Sequence, residues 1–217
     1  MENTDKRFGR TILHVDMNNF FASVECMLNP DLKNFPVAVC GSTEDRHGIV
    51  LAKNDKAKSF GVLTAEPIWQ AQKKCRNLVT ISPHHDEYLK YSKLAVEIYR
   101  EYTDQIEPFG IDECWLDVTG SRLLFGDGVK IGEEIRRRIR TELGLTVSIG
   151  VSFNKTFAKI GSDMKKPDAL TYIPYESFHS IIDGLPADCL PGVGEKTSAI
   201  LKSHGIYTLA ALAGAPD

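Results

Sequence analysis

Three acidic residues stand where carboxylate chemistry can be assembled. Asp16 closes the apolar run TILHVD, and the adjacent Asp112 and Glu113 open the run DECWLDV after Gly110 and Ile111. Carboxylates delivered from two neighbouring strand ends are the hard oxygen donors that Mg2+ takes, with room left for water and phosphate. Two such ions about 3.5–4 Å apart activate an attacking hydroxyl and neutralise a leaving phosphate. One geometric condition applies. Neighbours on a regular strand point to opposite faces, so Asp112 and Glu113 share a site only at a bend or a strand terminus. Pro108–Phe109–Gly110, just upstream, can supply that bend. Taken alone, an Asp-Glu pair also fits a plain solvated strand end, and the residue types leave both readings open.

The elements around these acids must deliver them. Thr11–Asp16 reads as a short buried strand, followed by a helix over Asn18–Leu28 with Phe20, Phe21, Val24 and Met27 at helical spacing. FPVAVC (Phe35–Cys40) and GIVLA (Gly48–Ala52) read as strands, with the polar stretch Gly41–His47 making them a hairpin. Short helices are expected over Asp55–Phe60, stopped at Gly61, and over Ile68–Cys75, then a long amphipathic one over Asp86–Tyr102. Ile111–Val118 is a strand; Val129–Leu143 is a helix with Ile131, Ile135, Ile139 and Leu143 four apart and Gly144 as its stop. Thr146–Val151 (strand), Lys155–Met164 (helix) and Leu170–Ile173 (strand) follow, and the pattern turns helical from Tyr175, with a Gly-rich turn at Pro191–Gly194. This order predicts an α+β fold with a split βαβ sheet packed by helices on one side.

Bulk properties narrow the class without naming it. No apolar run among the 217 residues approaches the roughly 20 a membrane helix needs. The first ten residues are polar and charged, unlike a signal peptide, so a cytoplasmic location is expected. Cys26, Cys40, Cys75, Cys114 and Cys189 lie far apart with no CxxC pair, which excludes a zinc ribbon and points to reduced, structural cysteines. A net charge of −3 does not announce a nucleic-acid binder, but Lys155, Lys159, Lys165 and Lys166 cluster against the single acid Asp163. The run Arg136–Arg137–Arg138 with Arg140 reads as a solvated helix face, and His84 and His85 as loop residues.

Four segments in register carry more. HVDMNNFFASVE (His14–Glu25), GIDECWLDVT (Gly110–Thr119), SIGVSFNKTFAKIGSDMKKP (Ser148–Pro167) and LPGVGEKTSAILKSHGI (Leu190–Ile206) together resemble the Y-family, lesion-bypass DNA polymerases, and the resemblance runs from Ile12 to Ile206. It implies a ferredoxin-like palm over 1–28 and 85–173, small fingers over 29–84 and a partial helix–hairpin–helix thumb over 174–217, without the further little-finger domain. Asp16, Asp112 and Glu113, with the Met17 carbonyl, would hold two Mg2+ ions, Mn2+ being an alternative. Phe21 would be the steric gate beneath the sugar of the incoming nucleotide, with Phe20 beside it, and Lys166 and Lys58 would meet the triphosphate. Lys159 would approach substrate and DNA, while Gly192, Gly194 and Lys196 would contact the DNA backbone. The implied reaction is template-directed transfer of a dNTP onto a primer 3′-OH. The implied partners are primer-template DNA, dNTP and a sliding clamp reached through a region beyond Asp217, with the chain itself a monomer.

Two departures and two rivals accompany the resemblance. Where many relatives place a tyrosine and an arginine against the triphosphate, this chain has Asp55 and Lys58, and Asp55 must turn away or pair with a cation such as Lys53 or Lys56. The chain also ends inside the expected thumb. A palm-type nucleotidyl cyclase would share the carboxylates but lacks the thumb-like hairpin and the fingers insertion. A DNA-binding repair module that has lost activity would keep the hairpin but has no use for an intact carboxylate trio.

Overall fold

The computed structural model of the chain describes residues 9–41 and 48–216. Strand β1 (Ile12–Met17) and helix α1 (Phe20–Leu28) lead into β2 (Val37–Cys40), β3 (Val50–Lys53), α2 (Asp55–Ser59), α3 (Ile68–Lys74) and β4 (Val79–Ile81). Next come α4 (His85–Arg100), β5 (Ile106–Pro108), β6 (Glu113–Asp117), α5 (Arg122–Phe125) and α6 (Gly128–Leu143). The chain then runs through β7 (Val147–Ser152), α7 (Lys155–Met164), β8 (Leu170–Ile173), α8 (Phe178–Ile182), α9 (Glu195–Ser203) and α10 (Leu209–Ala213). The described residues form two compact units: 9–16 with Tyr99–Arg137 and 147–216, and Met17–Ile98 with Arg138–Thr146. The fold is α+β, as the alternating pattern predicts.

The first unit is built on a five-stranded sheet ordered β5-β6-β1-β7-β8. β1 and β7 are buried at every position, as befits strands covered on both faces. β1 pairs antiparallel with β6, setting Asp16 opposite Glu113 and His14 opposite Trp115. Residues paired across a ladder share a face, so these four side chains line one side of the sheet. β7 and β8 run parallel, joined through α7 in a βαβ unit. What lets α7 lie so close is the absence of a side chain at Gly150, where a Cβ would fall on the Ala158 carbonyl. Asn154 starts the helix by accepting the Phe157 N–H at 2.8 Å.

The second unit carries a three-stranded sheet, β3-β2-β4, with β2 antiparallel to β3 and parallel to β4. The antiparallel β2–β3 pair is the one the sequence predicts; residues 42–47 of its connection lie outside the described residues. Ala38, Cys40, Val50, Ala57, Val62, Ala71 and Cys75 form its core. All five cysteines are unpaired and only Cys189 is exposed. β4, β5 and α5 have no counterpart in the sequence reading, being only three or four residues long, too short for periodicity to register. β6 also begins two residues later than expected, at Glu113, because Phe109–Asp112 form the turn from β5. No helix among the described residues is long and apolar enough to cross a membrane.

Candidate active site

The bend needed to use both adjacent acids is present. Gly110 adopts φ +88°, a conformation strained for residues with a Cβ, and Phe109 N–H closes the turn on the Glu113 carbonyl at 2.8 Å. Asp112 therefore sits in the turn, while Glu113 is the first residue of β6, opposite Asp16. Helix α7 and the residues just after it bring cations to the same place. Lys159 Nζ lies 2.7 Å from Glu113 and 3.6 Å from Asp16, and Lys166 Nζ lies 2.6 Å from Asp16. Both lysines also reach Asp163, at 3.4 and 2.8 Å. Lys159, expected on a face turned to substrate and DNA, is thus bound into the carboxylate cluster, with 13% of its side chain exposed.

The electrostatics record how crowded the acids are. Burial, then repulsion from Asp16 and Glu113, pushes the Asp112 carboxyl up to about 6. Burial also raises Asp16, against the pull of Lys166. Glu113 goes the other way: burial opposes its ionisation, but His14 and Lys159 outweigh that and bring it down to about 2. Both lysines are raised, their carboxylate partners overcoming desolvation. Asp16, Asp112, Glu113 and Asp163 outnumber the two ammonium groups, and the imbalance appears at Asp112. Among the described residues no three or more His, Cys, Asp or Glu side chains are grouped as a ready metal site. The donor set nonetheless fits Mg2+ chemically: clustered carboxylate oxygens with unrelieved repulsion, which a hard dication removes.

The second unit holds the other expected groups. Met17 ends β1, with its side chain buried. Phe20 is 3% exposed, a core position, whereas Phe21 is only partly buried. The Phe21 ring stacks on Tyr88 at 4.1 Å and 11° between planes, and His85 meets it edge-on at 5.9 Å. Tyr88 is anchored in turn, its hydroxyl donating to buried Glu25 at 2.5 Å, with His84 Nδ1 2.9 Å from the same oxygen. His84 and His85, read from the sequence as plain loop residues, belong to this aromatic and polar backing. The signal was a glutamate on the buried side of a helix, Glu25. Lys58 is exposed on α2, and Asp55 neither turns free nor pairs with Lys53 or Lys56: it accepts from Asn19 Nδ2 at 3.0 Å.

At the C-terminal end of the first unit, Gly192 (φ +94°) and Gly194 form an exposed turn into α9, and Gly194 caps that helix without a side chain. Lys196 is exposed in its first turn. Lys202, nearly two turns further, is paired with Asp188 at 3.1 Å.

With sheet register, carboxylate cluster and hairpin in hand, comparison with known proteins becomes informative. A family model described as impB/mucB/samB matches residues 15–163, more than half of the chain. The chain belongs to the impB/mucB/samB family. It is 57% identical over 204 residues to a DNA polymerase IV of Acetivibrio thermocellus, covering 94% of this chain and 51% of that protein. It is 41% identical over 208 residues to DNA polymerase IV 1 of Bacillus subtilis, covering 96% of this chain and 50% of that one. The chain thus spans about half the length of these curated relatives. Among solved structures, DinB from Sulfolobus solfataricus superposes with a TM-score of 0.88 at 29% identity, over 95% of this chain and 60% of that one. An insertion ternary complex of Dbh DNA polymerase gives 0.89 at 30% identity, over 95% and 61%. The family-level resemblance carried by the four sequence segments is therefore real, and the α+β fold is that of Y-family polymerases.

Proposed function

We propose that this chain is the catalytic part of a lesion-bypass DNA polymerase that transfers a dNTP onto a primer 3′-OH. The observation that carries the reading is the register placing Asp16 opposite Glu113 with Asp112 in the adjoining turn, a concentration of acid that leaves Asp112 at about 6. Asp16, Asp112 and Glu113, with the Met17 carbonyl, would hold two Mg2+ ions, or Mn2+ in their place. Bound there, the ions supply activation of the primer hydroxyl and charge neutralisation on the leaving pyrophosphate. The chain's own part is positioning and fixed charge. Lys166, just beyond the end of α7 and paired with Asp16, is the cation assigned to the triphosphate, and Lys159 on α7 serves the same polyanion before the DNA. Lys58 adds a point charge from α2, and Asp55, tied to Asn19, does not compete with it. Phe21, backed by Tyr88, is assigned to the sugar; Phe20 supports it from the core.

The palm, fingers and partial thumb are assigned to residues 1–28 with 85–173, 29–84 and 174–217. Gly192, Gly194 and Lys196 are assigned to backbone phosphates of primer-template DNA, as helix starts suit anions. A monomer acting in the cytoplasm, with a sliding clamp met through sequence beyond Asp217, completes the proposal. The deciding experiment is primer extension with Mg2+. The parent is expected to extend a primed template and Asp112→Ala to lose about a thousandfold of that rate while staying folded, since it removes a carboxylate that would hold the ions. Undiminished extension by a folded Asp112→Ala overturns the assignment.

A further inference from the structure

His14 has no exposed surface and sits between β1 and α7. Its Nδ1 is 2.8 Å from Ser162 Oγ, and its Nε2 is 3.1 Å from Glu113 Oε2. Ser162 Oγ also lies 2.8 Å from the Lys159 carbonyl oxygen, and the Lys159 ammonium returns to Glu113 Oε2 at 2.7 Å. The four residues form a closed ring of polar contacts spanning strand, strand and helix. Trp115 packs edge-on against the imidazole at 5.1 Å and is itself tied to α7 by its Nε1, which donates to the Lys155 carbonyl at 3.1 Å. Nδ1 is thus hydrogen-bonded, Nε2 lies in close polar contact with Glu113 without hydrogen-bond alignment, and the ring's flank is blocked. A polar side chain buried this deeply costs free energy unless its partners are in place, and an apolar residue of like size would avoid that cost.

We infer that His14 is a positioning residue for Glu113. Ser162 fixes the imidazole by giving its hydroxyl proton to Nδ1, which leaves the ring's own N–H on Nε2, and that N–H, facing Glu113 Oε2, restrains the rotamer of the carboxylate. Both contacts to Glu113 fall on Oε2, which leaves Oε1 for a cation. Its place two residues before Asp16 puts His14 on the same strand face as that acid, so one segment of β1 supplies both a carboxylate and the group that aims its neighbour. A metal-binding carboxylate held by an outer partner binds more tightly, and loss of such partners typically costs about 10- to 100-fold in affinity. This inference rests on the two-metal reading above.

The test is Mn2+ binding by the 217-residue chain, followed by electron paramagnetic resonance, with melting temperatures measured alongside. His14→Phe keeps the volume and removes both nitrogens; His14→Gln keeps a polar group near the Nε2 position; His14→Asn keeps one near Nδ1 only. The expected result is that His14→Phe and His14→Asn lose roughly 10- to 100-fold in Mn2+ affinity while His14→Gln stays near the parent. A purely structural histidine would instead move the melting temperature and leave the Gln and Asn variants binding alike. If His14→Phe does not fold, the Gln and Asn comparison still decides: equal affinities overturn the inference. A parent that shows no Mn2+ binding abolished by Asp112→Asn overturns the two-metal reading and this inference with it. Parent binding that is indifferent to all three His14 variants overturns the inference alone.

Discussion

At Asp112 the fold holds a carboxyl that it would rather keep protonated. The folded-state value is about 6 against an ordinary 3.8, so the folded protein binds that proton more tightly than the unfolded chain does. The stabilisation is complete below about pH 4 and is lost as pH rises through 6. In a metal-free, chelator-containing buffer, Asp112→Asn is therefore expected to melt a few degrees above the parent near pH 7.5, with the gap closing toward pH 4. Added Mn2+ should reverse the order by stabilising the parent alone. Thermal melts across that range, with and without metal, check both halves; a gap independent of pH would mean the repulsion is not there. At Phe21 the expectation concerns choice of sugar. Phe21→Ala should raise ribonucleotide incorporation at least about tenfold, the rate equivalent of relieving some 1.4 kcal/mol of clash, with deoxynucleotide use little changed. Phe20→Ala, by contrast, should cost about 3–5 kcal/mol of stability without changing the selection, because it empties a core position. Single-nucleotide incorporation with paired dNTP and rNTP, beside a denaturant melt, separates the two.

Helix α7 is the element through which most of the site is tuned, since it carries Lys159, Ser162 and Asp163, and Lys166 follows its end. Its limits were readable because Asn154 is a good cap and the apolar spacing is regular; so were β1, β7 and β8, with their short apolar runs. What the helix faces was not readable. Helical spacing shows that Lys159 and Ser162 lie nearly one turn apart, but only the pairing of β1 with β6 puts His14 and Glu113 beneath them. The bend that lets Asp112 and Glu113 serve one site was readable at Pro108–Phe109–Gly110, whereas β5, which leads into it, was not, being three residues long and containing a proline. The docking of α7 makes a testable demand on Gly150. An added Cβ would strike the helix backbone at Ala158 and Ser162, where no flexible side chain can give way. Gly150→Ala is expected to cost about 1–3 kcal/mol by overpacking. Gly184→Ala, with open space around it, should change stability by less than about 0.5 kcal/mol. Urea unfolding of the two variants measures the difference, and equal midpoints would show that α7 is not held by close backbone contact.

A net charge of −3 looks poorly suited to DNA until the cations are followed to their partners. Arg136 is bound to Glu133 and Asp168, Arg137 to Glu134 and Arg138 to Glu142, so the basic run of α6 is neutralised along the helix itself. Lys155 is paired with Glu107, Lys159 with Glu113, Lys166 with Asp16, and Lys202 with Asp188. Composition therefore overstates the positive charge on offer to a phosphate backbone. It also hides where that charge is, because Lys196 stands exposed beside the Gly192–Gly194 turn. Each phosphate neutralised by a lysine contributes about 0.9 to the slope of log affinity against log salt on duplex DNA. With these cations held by its own acids, this chain is expected to bind primed DNA weakly and with a slope shallower than its lysine and arginine content implies. Lys196→Ala should weaken binding by similar factors on unrelated sequences and lower the slope by about one, because a phosphate contact positions the protein without reading bases. Fluorescence anisotropy on two primed templates of different sequence, titrated with KCl, measures both quantities. A sequence-dependent loss would mean that Lys196 reaches a base edge, and an unchanged slope would remove the hairpin from the DNA-binding surface.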